Sequence, residues 1–208
     1  MKEDILEQLV DDYLQSKGYF TRHNIKFRPR ADHPDFQKLM DSNHSDIDVI
    51  GYNPKESGHK RVIVVSCKSW QTGFRVSSWL ENLAKNKKIS GREAWQAFRE
   101  LMSPKWAEAL IDEVEAITGT REFTYVTAVT AVIGERSKWE NNQEFLAKLE
   151  GNPIQVLDLT QMLDHIDNLS TTTVASSDIG RVLQLMKAAK RGTKALLSTD
   201  QLQSDADE

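Results

Sequence analysis

Apolar and polar residues alternate along this chain with two different periods. A period near 3.6 residues predicts helices, at residues 3–17, within 76–117, and at 142–150, 160–170 and 179–191. Short apolar runs with β-branched residues predict strands, at residues 19–27, 46–52, 61–68, 122–134 and 153–159. The main elements therefore follow the order α-β-β-β-α-β-α-β, which predicts an α/β fold with a mixed central sheet flanked by helices.

The second and third predicted strands are joined by residues 53–58, a segment rich in turn formers. We therefore expect the two strands to pair antiparallel. Residues two apart on a strand share a face, so Asp46 projects with Asp48, and Ser66 projects with Lys68. This pairing would set a carboxylate beside an amine.

The remaining pattern contains two further signals. Residues 122–134 carry many β-branched side chains and little charge, which indicates a buried central strand. The helical region 76–117 is interrupted at Ser90-Gly91 and at Ser103-Pro104, where serine can cap a helix and proline can occupy its first position.

Length and composition favour one core. With 208 residues, of which 39% are hydrophobic, the chain can bury a single large core. We expect one domain over residues 1–168, a linker and last helix over 169–192, and a mobile acidic tail over 193–208. The single cysteine excludes an internal disulfide and a cysteine-based zinc site. Without a signal peptide or a membrane-spanning run, the sequence predicts a cytoplasmic protein with no membrane partner.

The formal charge of −4 does not suggest a strongly basic, nucleic-acid-binding surface, but the charge is unevenly distributed. Residues 55–105 hold eleven lysines and arginines against four acids, a local excess of +7. Phosphate binding depends on such basic groups. No glycine-rich phosphate loop is present, which excludes a nucleotide cofactor of that type.

The carboxylate and the lysine indicate metal-assisted hydrolysis of a phosphodiester. A divalent cation held by carboxylates stabilises the charge that builds up and lowers the pKa of an attacking water. Magnesium suits oxygen ligands such as Asp48, and manganese is expected to substitute for it. Lys68 could then orient or deprotonate water, or it could pair with the phosphate.

At these residues the sequence resembles the PD-(D/E)XK nuclease superfamily, and within it the Mrr-like restriction endonucleases. That pattern has Asp on the second strand, then an acidic residue or Gln, any residue, and Lys on the third. Asp48 matches the Asp, Cys67 the variable position and Lys68 the Lys, whereas Ser66 replaces the usual acid. The resemblance implies a restriction-endonuclease-like core and a metal bound by Asp48 and the Cys67 carbonyl.

The resemblance implies further site residues. Glu7 on the first helix corresponds to a glutamate that completes the metal shell in many members, although it could be one of several solvated acids. The segment after Lys68 is similar to the Mrr-like one, which implies substrate contacts by Trp70, Gln71 and the basic Arg75. Asp46 is open to two interpretations, an outer carboxylate that orients the site or a cap of the preceding loop. Most of the other tryptophans in this interval are expected in the core.

The leading hypothesis is therefore a magnesium-dependent DNA endonuclease. Its catalytic residues would be Asp48, Lys68, Ser66 and Glu7. The resemblance also implies a role in restriction or phage defence and a homodimer that cuts both strands. Because Ser66 is a weaker metal ligand than a carboxylate, the alternative is a catalytically silent DNA-binding or assembly subunit. An RNA-directed nuclease with the same chemistry is a third possibility.

Overall fold

The computed structural model describes residues 4–169 and 177–189. The helices are α1 (Ile5–Ser16), α2 (Lys38–Asp41), α3 (Val76–Ala84), α4 (Arg99–Met102), α5 (Pro104–Thr118), α6 (Ser137–Glu140), α7 (Gln143–Lys148) and α8 (Leu159–Leu169). The strands are β1 (Phe20–Phe27), β2 (Ser45–Tyr52), β3 (Val62–Lys68), β4 (Phe74–Arg75), β5 (Lys88–Ile89), β6 (Arg92–Glu93), β7 (Thr124–Val129), β8 (Val132–Ile133) and β9 (Ile154–Asp158). Residues 178–189 are also helical.

Five strands form the central sheet in the order β1-β2-β3-β7-β9. Strand β2 is antiparallel to both β1 and β3, whereas β7 is parallel to both β3 and β9. The predicted α/β fold with a mixed sheet flanked by helices is thus confirmed, as is the antiparallel pairing of β2 with β3. Every residue of β7 is buried, as expected for a central strand.

Helix α1 covers one face of the sheet. Asp4 begins it, since Oδ1 of this side chain accepts a hydrogen bond from the amide of Leu6 at 2.9 Å. Four apolar residues of α1 are buried and contact the sheet side: Leu6, Leu9, Val10 and Leu14. Gly51 permits this close approach, because a Cβ there would lie 3.3 Å from Leu14. Helix α1 and the end of β2 are therefore tightly packed.

The opposite face of the sheet carries the larger core. Helix α5 starts at Pro104, as the Ser103-Pro104 pair predicts, and it buries Trp106 completely. The Trp106 ring contacts Phe27 of β1 edge to face at 6.0 Å. The α5 helix ends at Gly119, whose φ of 75° is readily adopted by glycine.

Residues 85–97 differ from the predicted helical region. After α3 the chain forms a two-stranded antiparallel ribbon, β5 with β6, and then a 3-10 turn, Ala94–Ala97. Ser90 and Gly91 both have positive φ and make the turn of this ribbon, so they do not separate two helices. The prediction was wrong here because a tight turn with charged flanks satisfies the backbone locally. The predicted strand 122–134 is likewise divided, into β7 and β8.

Residues 28–43 are held down by one buried acid. Asp41 of α2 has no exposed surface and pairs with Lys105 of α5 at 2.6 Å. Its Oδ1 also accepts from the Trp106 indole at 3.2 Å, and its Oδ2 accepts from the amide of Gln37 at 2.7 Å. Helix α2 is thereby fixed to α5, with Leu39 left 97% exposed.

Packing divides the chain into two units, Met1–Met162 and Leu163–Glu208. The predicted domain over 1–168 extends six residues past this division, and that boundary stays a prediction. Most of the predicted linker and all of the predicted acidic tail lie outside the described residues. In the parts of the chain that the structure describes, no helix combines the length and apolarity needed to cross a membrane.

Candidate active site

The β2–β3 ladder ends where the predicted site begins. Its last registered pair is Val49 with Val65. At the next residue of β2, Asp48, a side chain replaces the backbone as the hydrogen-bond acceptor. Oδ2 of Asp48 accepts a hydrogen bond from the amide of Cys67 at 2.5 Å. Side chains alternate between faces along a strand, so Asp48, Ser66 and Lys68 all lie on the face opposite α1.

Asp48 is a partly buried carboxylate in a mixed electrostatic environment. Burial raises its pKa, and the negative charges of Glu100 and Asp46 act in the same direction. Lys68 and the Cys67 amide oppose this effect by stabilising the ionised form. Asp48 and Lys68, 20 positions apart in the sequence, therefore lie close enough for the lysine charge to act on the carboxylate.

Lys68 ends β3 beside β7, where it is paired with Val129. Its side chain is partly buried, and Nζ lies 5.4 Å from the centroid of the Phe98 ring. An ammonium over an aromatic face is attracted by the ring's electrons. Phe98 is completely buried, so this contact holds the lysine against a fixed surface.

A second carboxylate stands on the same face and was missed in the sequence. Glu100 of α4 is only 6% exposed, and the hydroxyl of Tyr125 donates a hydrogen bond to its Oε1. Burial, followed by the charge of Glu100, raises the pKa of Tyr125 well above its ordinary value, so the phenol stays protonated. Ser66 is a hydrogen-bonding neighbour of the same hydroxyl. The position without the expected acid is therefore linked through Tyr125 to an acid on a helix.

Glu100 had a recognisable signal in the sequence. It stands between Phe98 and Leu101, both fully buried, in a run that otherwise has core character. A charged residue in such a run needs a partner or a function. Only the tertiary structure shows that α4 brings it to the end of β2.

The other face of this strand end holds Cys67 and the start of α1. Burial raises the pKa of the Cys67 thiol well above its usual value, and Asp48, Glu7 and Asp4 add to the effect. The thiol is therefore protonated and is a poor nucleophile. Ser69 donates a hydrogen bond to Oδ2 of Asp4 at 2.5 Å, which ties α1 to the segment after Lys68. Glu7 is partly buried and acts on Cys67 from this side.

The predicted substrate-binding residues follow Lys68 closely. Trp70 is not a freely exposed ring, because it stacks on Trp79 with centroids 4.4 Å apart, and its carbonyl accepts from the Thr130 hydroxyl. Gln71 is exposed and lines a cleft of about 1000 Å³ next to the site. Arg75 is exposed on β4, which pairs with β8. All three are within seven residues of Lys68.

A divalent cation at this site would need oxygen donors that lie close together. Within residues 4–169 and 177–189, no group of three or more His, Cys, Asp or Glu side chains is arranged to hold a metal ion. Two carboxylates, Asp48 and Glu100, do act on each other on one face, and the Cys67 backbone is next to them. Magnesium is often held by only one or two carboxylates with several waters. The chemistry of this donor set fits that requirement, and the predicted part of Glu7 stays a prediction.

Comparisons with known proteins give little guidance. No family model matches the chain, and no curated protein matches it. A solved structure described as protein of unknown function AF1548 is similar over 77% of this chain and 66% of its own length, with 11% identity and a TM-score of 0.38. The chain thus spans slightly less than two thirds of that protein.

Proposed function

We propose that this chain is a magnesium-dependent endonuclease that hydrolyses DNA phosphodiester bonds with a site of the PD-(D/E)XK type. One observation supports the proposal: the charges of Lys68 and of the buried Glu100 both act on Asp48 at the open end of the β2–β3 ladder. Glu100 supplies the carboxylate that Ser66 lacks. The local excess of positive charge in residues 55–105 gives the phosphate backbone a favourable field.

Each residue has a task in this proposal. Asp48, Glu100 and the Cys67 carbonyl would hold magnesium, which when bound would supply a more acidic water and a positive charge opposite the phosphate. Lys68 orients the water or pairs with a phosphate oxygen. The Cys67 amide fixes Asp48, and the Tyr125 hydroxyl fixes Glu100. A role in restriction or phage defence and a homodimer belong to the same proposal.

The experiment measures cleavage of DNA by the purified chain with magnesium or manganese. We expect Asp48→Asn, Glu100→Gln and Lys68→Met each to lower kcat/KM at least about a hundredfold. Matched controls are Glu56→Gln and Lys17→Met, exposed residues at the other end of β2 and β3, which should leave cleavage unchanged. Cleavage that survives both Asp48→Asn and Lys68→Met would reject the mechanism.

A silent DNA-binding or assembly subunit is the second candidate. It is favoured by the hydrogen bonds that already occupy both carboxylates, since Asp48 accepts from the Cys67 amide and Glu100 accepts from Tyr125. If this candidate is correct, the wild-type chain binds DNA but cleaves none with either metal. Calorimetry of magnesium binding to wild type and Asp48→Asn separates the two candidates. If the chain is a nuclease, the wild type should show a heat of magnesium binding that Asp48→Asn lacks. If it is a silent subunit, the two proteins should give the same result.

A further inference from the structure

The cleft beside the proposed site has an unusual lining. Three partly buried indoles border it, together with polar and basic groups: Trp70, Trp79, Trp95, Gln71, Arg92 and Arg99. Glu93 is also present, but its Oε2 accepts a hydrogen bond from the Trp95 indole at 2.5 Å. Flat aromatic surfaces of this kind are where nucleobases stack, and arginine pairs with phosphate oxygens.

Arg99 contributes a second observation. Its guanidinium carbon lies 4.8 Å from the Trp106 ring centroid and 6.0 Å from that of Trp95. Nη1 of Arg99 is buried and has no hydrogen-bond partner anywhere in the described ranges. Leaving a buried donor unsatisfied is costly. The Arg99 side chain as a whole is only partly buried and lines the cleft, so a rotation of its guanidinium would offer this donor to an anionic or carbonyl oxygen of a ligand there.

The rim of the cleft carries two apolar side chains, Leu39 and Met40 of α2. Leu39 is 97% exposed, yet the neighbouring Asp41 is fixed to Lys105. The rim is therefore an apolar projection on a firmly anchored segment. Side chains such as leucine and methionine act as wedges between base steps in proteins that unstack DNA.

The cleft is continuous with the proposed active site along the chain. Ser69 and Gln71 of its lining directly follow Lys68, and Arg99 directly precedes Glu100. A nucleotide held in the cleft would thus have its phosphate close to the end of β3, because successive strand residues are only about 3.3 Å apart.

We propose that this cleft holds unpaired nucleotides of the substrate, so that the chain acts on nucleic acid at a junction of duplex and single strand. A base stacks on the Trp95 indole, Arg99 and Arg92 meet phosphates, and Leu39 lies against the first base pair of the duplex. The inference rests on the proposed nuclease function and specifies its substrate class.

The test measures binding in EDTA, where no cleavage occurs, by fluorescence anisotropy with three labelled probes. These are a single-stranded oligonucleotide, a blunt duplex of the same sequence, and that duplex with a single-stranded overhang. Because stacking of one base on an aromatic side chain strengthens binding about five- to a hundredfold, we expect at least about fivefold tighter binding of the first and third probes than of the blunt duplex.

Variants locate the effect. Trp95→Ala and the exposed Arg92→Gln should each weaken the single-stranded probe about fivefold or more, whereas Leu39→Ser should weaken only the overhang probe. Thermal unfolding checks that Trp95→Ala is folded, and Arg92→Gln and Leu39→Ser change exposed side chains only. Matched controls are Lys17→Gln and Phe20→Ser, an exposed base and an exposed apolar residue at the other end of β1–β3, which should bind all three probes as the wild type does.

The outcomes separate this inference from the nuclease proposal. Equal binding of blunt duplex and single strand, losses no larger than those of the controls, or no binding of any probe would overturn the cleft proposal. If unpaired probes are preferred but neither metal supports cleavage, the cleft proposal stands and the nuclease proposal fails. If blunt duplex is cleaved and is bound as tightly as single strand, the nuclease proposal stands and the cleft proposal fails.

Discussion

Asp48 is the residue whose environment says most about the proposed chemistry. It is a carboxylate with one backbone hydrogen bond, a lysine on its own face and a second carboxylate close enough to disfavour its charge. In a purely structural ion pair the lysine would dominate. Here burial is the largest influence and the pKa of Asp48 is raised, which is typical of functional positions.

The neighbours of Asp48 can be tested one at a time by NMR titration of its carboxyl carbon in EDTA. Lys68→Met should raise the pKa of Asp48 further, because a stabilising positive charge is lost. Glu100→Gln should lower it, because a repelling charge is lost. Asp32→Asn, in the exposed part of residues 28–43, should have no effect. If the pKa of Asp48 changed in neither variant, neither the Lys68 charge nor the Glu100 charge would act on this carboxylate.

Stability should depend on pH through Asp48 in a defined direction. Its folded-state pKa lies above the unfolded value of about 3.9, so ionisation destabilises the native state as pH rises through the interval between the two. Urea unfolding should therefore show the stability of Asp48→Asn relative to wild type increasing over that interval, in EDTA. Asp41→Asn should behave in the opposite way. Burial raises the pKa of Asp41, but Lys105 and the Gln37 amide outweigh it and hold the pKa below its usual value.

The carboxylate of Glu100 can be moved to the strand to test its role. Ser66→Glu alone should not increase cleavage, because Glu100 already supplies the second carboxylate and a third one adds repulsion. In the Glu100→Gln background, the same change should recover at least about tenfold of the lost activity, within the range of metal-site carboxylate effects. Thermal unfolding is the control, since Ser66 is only 6% exposed. A large gain in the single variant would show that Glu100 does not serve the metal.

At the level of elements, the ion pair between Asp41 and Lys105 fixes α2 to α5, and we call this pair the clamp. It explains why the irregular segment that contains α2 can border a site. Asp41 has no exposed surface, and its charge is matched by Lys105. Removing one partner of a buried ion pair leaves an uncompensated charge. Lys105→Met should therefore lower the free energy of unfolding by about 3 kcal/mol, the low end for buried pairs, because Gln37 and Trp106 still donate to Asp41.

Chemical denaturation of three variants checks this estimate. Arg30→Gln breaks the exposed pair with Asp32 in the same segment and should change stability very little, because solvent screens exposed ion pairs. The double variant Asp41→Asn/Lys105→Met should recover part of the loss. If Lys105→Met were as mild as Arg30→Gln, the clamp would have no stabilising role.

Elements with a strong period were predictable, and those built on distant contacts were not. The five strands of the sheet and helices α1 and α5 follow from their apolar patterns because each buries a regular face. The β5–β6 ribbon falls inside the predicted helical region because it has only four strand residues and no apolar period. The role of α2 cannot be predicted from the sequence, because Asp41 and Lys105 are 64 positions apart. In the same way, the candidates Asp48 and Lys68 follow from a local pattern, whereas Glu100 becomes a candidate only in the fold.

For the whole molecule, the uneven charge predicts how binding responds to salt. The net charge is −4, yet residues 55–105 carry a local excess of +7. If about four phosphates are contacted, affinity for duplex DNA in EDTA should fall about a hundredfold between 50 and 200 mM salt. Anisotropy titrations at several salt concentrations measure the slope. Lys17→Gln, at an exposed base outside residues 55–105, should leave the slope unchanged, and a flat salt dependence would contradict a phosphate-binding surface.

The bond between Ser69 and Asp4 has a practical consequence for anyone preparing this protein. Asp4 uses one oxygen to begin α1 and the other to secure the segment that follows Lys68. An affinity tag fused ahead of residue 1 would stand only three residues from the Ser69–Asp4 hydrogen bond. A bulky or charged fusion partner would therefore disturb both the start of α1 and the segment that follows Lys68. Tags for enzymology therefore belong at the carboxyl end, or should be removed by a protease before any assay.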